Sequence, residues 1–263
     1  MQPEAQPITA PSGFLDDPDR HHVMALSVAV AVAVIALLSL LLKDRAAELL
    51  LDLNSKHFRY PFTIQNLMHM VFFLGLGELF VRWRSGVRET AHLKAGYLPE
   101  DDLTVLRVKD LGPIRKQLPR EHGRDKGFLP SLINLCILQF QSSKSVDQTA
   151  AVMDSHLELI AHRVDMQYGV VRFIAWLVPT LGFIGTVYGI GASLAEAGDA
   201  AKKFDIKEVA KTLAVGFDCT MVALMQSAFL VFLLQLIQEK EESAVNHAGD
   251  YTLRNLINRL YEG

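Results

Sequence analysis

A glycine-rich apolar segment, Trp176 to Ala195, most strongly constrains how this chain folds. It reads WLVPTLGFIGTVYGIGASLA, and about 20 consecutive apolar residues are enough to cross a bilayer as an α-helix. The segment contains four glycines, one proline, two threonines and one serine. In water so many glycines disfavour a helix, but in a membrane small residues let helices approach closely while hydroxyl groups bond across the contact. We therefore predict a membrane helix that packs closely against a neighbour.

One side of this helix is small and mildly polar. With 3.6 residues per turn, that side consists of Pro179, Gly182, Thr186, Gly189 and Ser193. A later apolar run has a similar side, formed by Gly216, Thr220, Ala223 and Ser227. Such a pair can surround a conduit or hold a guest helix, because hydroxyls bind water or a partly dehydrated cation without a buried fixed charge. Neither side carries an acidic residue, so the titrating carboxylate of any ion pathway is expected to belong to another protein.

Composition supports a membrane protein with a hydrophilic part. Half of the 263 residues are hydrophobic, and they are concentrated in four blocks. The net charge of −3 and the lack of a basic tract with interleaved aromatics argue against a nucleic-acid partner. Two cysteines, Cys136 and Cys219, are too few for a disulfide framework and are predicted to be free thiols.

The first apolar block, residues 23–42, has two interpretations. A position near the N-terminus is compatible with a signal peptide, but the preceding residues are acidic. The block is also longer than the 7–15 residues of a signal-peptide core. We therefore predict a retained transmembrane helix.

These blocks predict an all-α integral membrane protein with four transmembrane helices, the last two long and extending into a helical cytoplasmic region. Basic residues directly after the second block place the large hydrophilic part in the cytoplasm by the positive-inside rule, so both termini are cytoplasmic. The predicted boundaries are a flexible cytoplasmic tail 1–22, transmembrane helices 23–42, 62–81, 170–195 and 212–237, periplasmic loops 43–61 and 196–211, a cytoplasmic helical region 82–169 and a cytoplasmic C-terminal helix 238–263.

Three polar residues within the predicted membrane helices need an interpretation. Glu78 precedes an arginine by four residues, which favours an ion pair at the helix end over a role in an ion pathway. His69 is interpreted as a hydrogen-bonding group between helices, with a proton relay as the alternative. Asp218 lies about 200° around its helix from Thr220. We expect it to face away from the pore and to bond Gln226 or a hydroxyl, with direct ion handling as the alternative.

The hydrophilic part shows no enzyme signature. His156 and His162 are six residues apart, which does not place them on one helix face, so a metal pair is not expected. The chain has no nucleophile motif and no phosphate-binding loop, so we predict that it is not an enzyme and that it uses no cofactor and no metal. A helical pattern continues from this region into the third apolar block, which predicts one long helix.

Two segments resemble a known family. Leu181 to Ile190 (LGFIGTVYGI) resembles the Gly-Leu-Leu-Gly-Thr-Val-x-Gly signature of the MotA/TolQ/ExbB proton channel family. Ala214 to Leu224 (AVGFDCTMVAL) resembles the helix that follows in that family, which carries a threonine near its middle. The resemblance covers roughly residues 150–240. Four crossings are similar to the MotA arrangement, whereas ExbB and TolQ have three.

The resemblance implies an ion-conducting subunit, most simply for protons, of a bacterial inner-membrane motor. It implies a homo-oligomer, a pentamer, around the single transmembrane helices of a dimeric MotB/ExbD/TolR-like protein that supplies the ion-binding aspartate. The threonines that line this interface correspond to Thr186 and Thr220. Such machines drive flagellar rotation, outer-membrane transport or envelope maintenance. The alternative is a non-conducting tetraspan scaffold or assembly protein in membrane lipid, whose glycines only hold helices together.

Overall fold

The computed structural model describes residues 20–53, 59–101, 104–119, 127–198 and 206–261. Within them the chain forms helices and connecting turns, without a β-strand. The helices are α1 (Arg20–Leu41), α2 (Asp44–Leu51), α3 (Ile64–Leu93), α4 (Val108–Gln117), α5 (Phe128–Ser143), α6 (Val146–Gln167), α7 (Gly169–Gly198) and α8 (Ile206–Asn255). The predicted all-α class is confirmed.

Four helical segments are long and apolar enough to cross a membrane. They are Arg20–Leu41, Ile64–Leu93, Val146–Gly198 and Val209–Arg259, and the last two contain 53 and 51 residues. A helix of about 50 residues is about 75 Å long, whereas the hydrocarbon core of a bilayer is about 30 Å thick. Only the apolar part of each long helix therefore spans, and the prediction of four crossings with two long final helices is confirmed.

Several boundaries differ from the prediction. The predicted loop 43–61 contains α2, and the predicted separate C-terminal helix is a continuation of α8 to Asn255. The predicted single long helix is interrupted by Tyr168, which separates α6 from α7. Residues 1–19 of the predicted tail and 199–205 of the predicted second periplasmic loop lie outside the described residues.

The described residues divide into two compact units. The membrane unit contains residues 20–80 and 169–235, and the polar unit contains residues 81–168 and 236–261. Helices α3 and α8 contribute residues to both units.

In the membrane unit, α2 is anchored to the residue that directly precedes α3. Thr63 Oγ1 donates a 3.1 Å hydrogen bond to the carbonyl oxygen of Leu51, and Leu51 is fully buried. Helix α1 packs against α3 where Ser27 lies beside Gly77, since a Cβ atom at Gly77 would collide with the Ser27 hydroxyl. Small residues thus set the spacing of the helices here too.

The core of the polar unit is built mainly on α5. Its buried residues recur three and one positions apart, which places them on one helix face: Leu129, Leu132, Ile133, Cys136, Ile137 and Phe140. Leu256 and Ile257, at the end of the chain, are buried in the same core. Helix α6 begins at an N-cap, where Ser145 Oγ accepts a hydrogen bond from the Gln148 backbone N–H.

Candidate ion-pathway site

Helices α7 and α8 approach each other so closely that side chains are excluded between them. A Cβ atom added to Gly189 would lie 2.9 Å from the Cα atom of Gly216. One added to Gly182 would lie 3.2 Å from the Cα atom of Thr220 and would collide with the Ala223 side chain. The two small sides predicted from the sequence therefore meet each other along one contact, which we call the α7–α8 seam.

A reciprocal pair of hydrogen bonds joins the helices at the centre of the seam. Thr186 Oγ1 donates a 2.8 Å bond to the carbonyl oxygen of Gly216. Thr220 Oγ1 donates a 2.9 Å bond to the carbonyl oxygen of Gly182. Each threonine thus binds the glycine four residues before the other threonine, so the same Gly-x-x-x-Thr arrangement serves both helices.

The protons of these two hydroxyls are fully used inside the seam. The Thr186 and Thr220 oxygens also contact each other directly, and Thr186 Oγ1 lies 3.3 Å from the Gly182 carbonyl oxygen of its own helix. Each hydroxyl has a single proton and two acceptor lone pairs, so two protons serve four contacts. The pair therefore has no proton to donate elsewhere, while its oxygens keep lone pairs that can accept a hydrogen bond.

Pro179 and Ser227 form a second connection across the seam. A proline inside a helix has no N–H, so the carbonyl four residues earlier loses its helical donor. That carbonyl belongs to Ala175, and Ser227 Oγ donates a 2.8 Å hydrogen bond to it. In a membrane such a freed carbonyl must be satisfied by a neighbouring group, so Ser227 compensates for Pro179.

Burial divides the predicted site residues into two sets. The buried set packs the helices of this chain together and consists of Gly182, Gly189, Ser193, Gly216 and Ala223. Ser193 is occupied within its own helix, since its hydroxyl donates a 2.8 Å bond to the Gly189 carbonyl. The partly exposed set consists of Pro179, Thr186, Thr220 and Ser227. Because the seam is closed within the chain, any conduit or guest helix must pass beside it, along the partly exposed set.

Asp218 is neutralised by a residue far away in the sequence. Arg45 Nη2 lies 2.9 Å from Asp218 Oδ2 and 3.1 Å from Oδ1. A second ion pair joins the same two helices, with 2.6 Å between Lys211 Nζ and Glu48 Oε1. The prediction that Asp218 bonds Gln226 or a hydroxyl is wrong. Sequence reasoning missed Arg45, because it lies 173 positions from Asp218 and no local spacing connects the two residues.

His69 links three elements of the membrane unit. Its Nε2 atom lies 2.8 Å from the Leu50 carbonyl oxygen, and its Nδ1 atom lies 2.6 Å from Gln226 Nε2. With the Gln226 amide in this orientation, its nitrogen donates to Nδ1, and Nε2 donates to the Leu50 carbonyl oxygen. His69 is thus a hydrogen-bonding group between helices, as predicted.

Glu78 pairs with α1 and not along its own helix. Arg20 Nε donates a 2.7 Å hydrogen bond to Glu78 Oε1, and the Glu78 side chain is only 2% exposed. The predicted ion pair with Arg82, four residues later, is wrong, and Arg82 bonds Gln167 within the polar unit. Glu78 is buried, so it pairs with a residue of the helix that packs against it. The rule that residues four apart form ion pairs applies to exposed helix surfaces.

Among the residues that the structure describes, no group of three or more His, Cys, Asp or Glu side chains could hold a metal ion. The candidate site itself consists of hydroxyl oxygens and small residues on α7 and α8.

Residues 125–248 match the model of the MotA/TolQ/ExbB proton channel family. This part of the chain is similar to the proteins of that family. The resemblance seen in the sequence is confirmed, and the matched part is wider than residues 150–240 because it also includes α5. A comparison with curated proteins gives no significant match. The family domain and the four apolar helices indicate a multi-pass membrane protein with a proton-channel role at the level of the family.

Proposed function

We propose that the chain is the ion-conducting subunit, for protons, of an inner-membrane motor. In this proposal a pentamer of the chain surrounds the transmembrane helices of a dimeric MotB/ExbD/TolR-like partner, both termini are cytoplasmic, and ion flow is converted into mechanical work without enzymatic catalysis. The similarity of residues 125–248 to a family whose proteins work with partner proteins supports this assembly.

The reciprocal hydroxyl pair of Thr186 and Thr220 carries the proposal. Both protons are committed within the seam, so the partly exposed oxygens can accept a hydrogen bond but cannot donate one. The acidic residue nearest in the sequence, Asp218, is held by Arg45. A surface with acceptors and no free carboxylate suits a partner that brings its own titrating group.

This surface distinguishes the two charge states of a partner carboxyl group. A protonated carboxyl donates a hydrogen bond to a threonine oxygen, whereas a carboxylate finds no donor there and loses hydration in apolar surroundings. The neutral partner helix therefore binds this surface more tightly than the charged one. A ligand shifts a conformational equilibrium by its differential affinity for the two states, so protonation and release can drive the partner helix on and off successive subunits.

The test is proton flux into proteoliposomes that contain the chain with its partner. We expect Thr220→Val to lower the flux at least tenfold, because valine keeps the shape and removes the acceptor oxygen. Thr180→Val is the matched control on α7, since the Thr180 hydroxyl bonds the Trp176 carbonyl of its own helix and not a residue of the seam, and it should conduct normally. Wild-type flux through Thr220→Val would overturn the proposed pathway.

A non-conducting scaffold is the second candidate function, and one observation favours it. The seam hydroxyls already have partners inside the chain, as expected if they only hold helices together. Under this function Thr186→Ala and Thr220→Ala would leave activity intact. Only a larger side chain at the helix contact would then impair the protein. Gly185→Leu is such a change, because even a Cβ atom added at Gly185 would collide with the Cys219 sulfur.

A further inference from the structure

Glu241 is a fully buried carboxyl group outside the apolar part of α8. Its residue exposure is 0%, and it follows the last apolar residues of the fourth block, which end at Ile237. It belongs to the acidic run QEKEE, which by sequence marks the exit of the helix to water. Its neighbours Glu239 and Glu242 are exposed, so the polar unit has enclosed a single member of this run.

Two hydroxyl groups from different parts of the polar unit donate to this carboxyl. The Tyr168 hydroxyl donates a 2.7 Å hydrogen bond to Oε2, and the Ser85 hydroxyl donates a 3.1 Å bond to Oε1. Tyr168 is the residue between α6 and α7, and Ser85 lies on α3. The group is therefore built from three chain segments that converge on one buried side chain.

We propose that Glu241 is a proton-binding site of this chain, which takes up and releases a proton within the hydrogen-bonded group that it forms with Tyr168 and Ser85. The carboxylate accepts the proton from a hydronium ion of the solvent, whose O–H bond breaks to leave neutral water, and the charge of the side chain changes from −1 to zero. This site is separate from the carboxylate that a partner would supply, and it does not depend on the proposed function.

The charges around Glu241 favour opposite protonation states. Burial raises the pKa of the Glu241 carboxyl, whereas the hydrogen bond from Tyr168, the charge of Arg82, the hydrogen bond from Ser85 and the charge of Arg88 lower it. A buried carboxylate without such partners is too costly to remain ionised, and the donors and arginines reduce that cost.

Each chain segment that packs around Glu241 contributes polar or charged side chains to its surroundings. Helix α3 contributes Arg82 and Arg88 as well as Ser85. The junction between α6 and α7 contributes Tyr168, which also senses the charge of Glu242 on α8.

Proton uptake must rearrange this group. A neutral carboxyl has an O–H that needs an acceptor, and the oxygens within reach are those of the Tyr168 and Ser85 hydroxyls. One hydroxyl therefore turns from donor to acceptor and has to place its own proton elsewhere. Tyr168 separates α6 from α7, so a reorientation of its hydroxyl occurs at the junction between these two helices. At this junction the backbone N–H of Tyr168 donates a hydrogen bond to the Asp165 carbonyl oxygen.

The test is infrared titration of the full chain in lipid nanodiscs without a partner. We expect the C=O band of a neutral carboxylic acid to disappear as pH rises through a midpoint above the ordinary glutamate range. The band should be absent from Glu241→Gln and retained in Glu239→Gln, the matched control at an exposed position of the same run. An unchanged band in Glu241→Gln would overturn the proposal.

A second variant keeps the test valid if Glu241→Gln does not fold. Tyr168→Phe removes one donor to the carboxylate and keeps the ring, so the midpoint should rise by about one to two pH units. An unshifted midpoint in a folded Tyr168→Phe protein would contradict the proposed site. Since these measurements need no partner and no flux, their failure is distinguishable from failure of the Thr220→Val experiment.

Discussion

The Ser227 hydroxyl donates a 2.8 Å hydrogen bond to the Ala175 carbonyl on the neighbouring helix. This carbonyl is the one that Pro179 leaves without a helical donor. A side chain of α8 therefore repairs a defect that a residue of α7 creates. Neither Pro179 nor Ser227 can be understood from its own helix alone, and a double-mutant cycle measures their coupling.

Ser227→Ala should destabilise the wild-type chain more than it destabilises a Pro179→Ala chain. In the Pro179→Ala background residue 179 regains an N–H that can bond the Ala175 carbonyl, so the serine becomes dispensable. We expect a coupling of about 1 kcal/mol, the usual size of a hydrogen bond between membrane helices. The measurement is unfolding of the four proteins in detergent micelles, and equal effects of Ser227→Ala in both backgrounds would contradict the coupling.

Gly189→Ala should weaken the α7–α8 seam, while Gly191→Ala should not. A methyl group at Gly189 would lie 2.9 Å from the Gly216 Cα atom, which is backbone and cannot move aside, whereas at Gly191 it would meet nothing within 4 Å. Relative to Gly191→Ala, we expect Gly189→Ala to lower the thermal midpoint by several degrees in the same micelles. A similar midpoint for both variants would show that the helices can separate without cost.

The two small helix sides that form the seam could be predicted from the sequence because their signals are local. Small residues that recur every three or four positions mark a helix side, and a second such side predicts its partner. What the sequence did not show is that the two sides close on each other, with Thr186 and Thr220 bonding across. The separation of two helices depends on all of their neighbours and is not encoded in the periodicity of either one.

The ion pairs could not be predicted, because their partners are distant in the sequence. Arg45 and Asp218 are 173 positions apart, and Arg20 and Glu78 are 58 positions apart. A local rule for pairs four residues apart selected the wrong partner for Glu78. Similarly, nothing in the run QEKEE distinguishes Glu241 from its exposed neighbours until the position of Tyr168 is known.

Arg45→Ala should destabilise the membrane unit, and Asp218→Asn should largely rescue it. Without Arg45 the Asp218 carboxylate keeps its low exposure and loses its counter-charge, which is more costly than losing both charges. Because the Arg45 side chain is 57% exposed, we expect on the order of 1–2 kcal/mol, less than for a fully buried pair. The measurement is unfolding of both single variants and the double variant.

Lys211 provides the matched control for this prediction. It lies on the same face of the contact between α2 and α8 and pairs with Glu48 at 2.6 Å. Its partner Glu48 is more exposed than Asp218, at 14% against 10% of the side chain, so Lys211→Ala should cost less than Arg45→Ala. Failure of Asp218→Asn to restore stability would mean that Arg45 acts through packing and not through charge.

Cys136 should resist alkylation in the folded protein at a pH where an exposed thiol reacts readily. It is fully buried in the core of the polar unit, and burial, with a contribution from the charge of Asp154, raises the pKa of its thiol to about 12. Only the thiolate reacts, so at pH 8 its reactive fraction is roughly a thousandfold below that of an exposed cysteine.

The measurement is maleimide labelling of a Cys219→Ser chain, in which Cys136 is the sole thiol. A cysteine introduced by Glu239→Cys is the exposed control and should label within minutes, whereas Cys136 should label at a rate that rises with pH and with denaturant. Fast labelling of Cys136 without denaturant would show that the core of the polar unit opens far more often than its close packing implies, because the reagent reaches this thiol only when the helices around it separate.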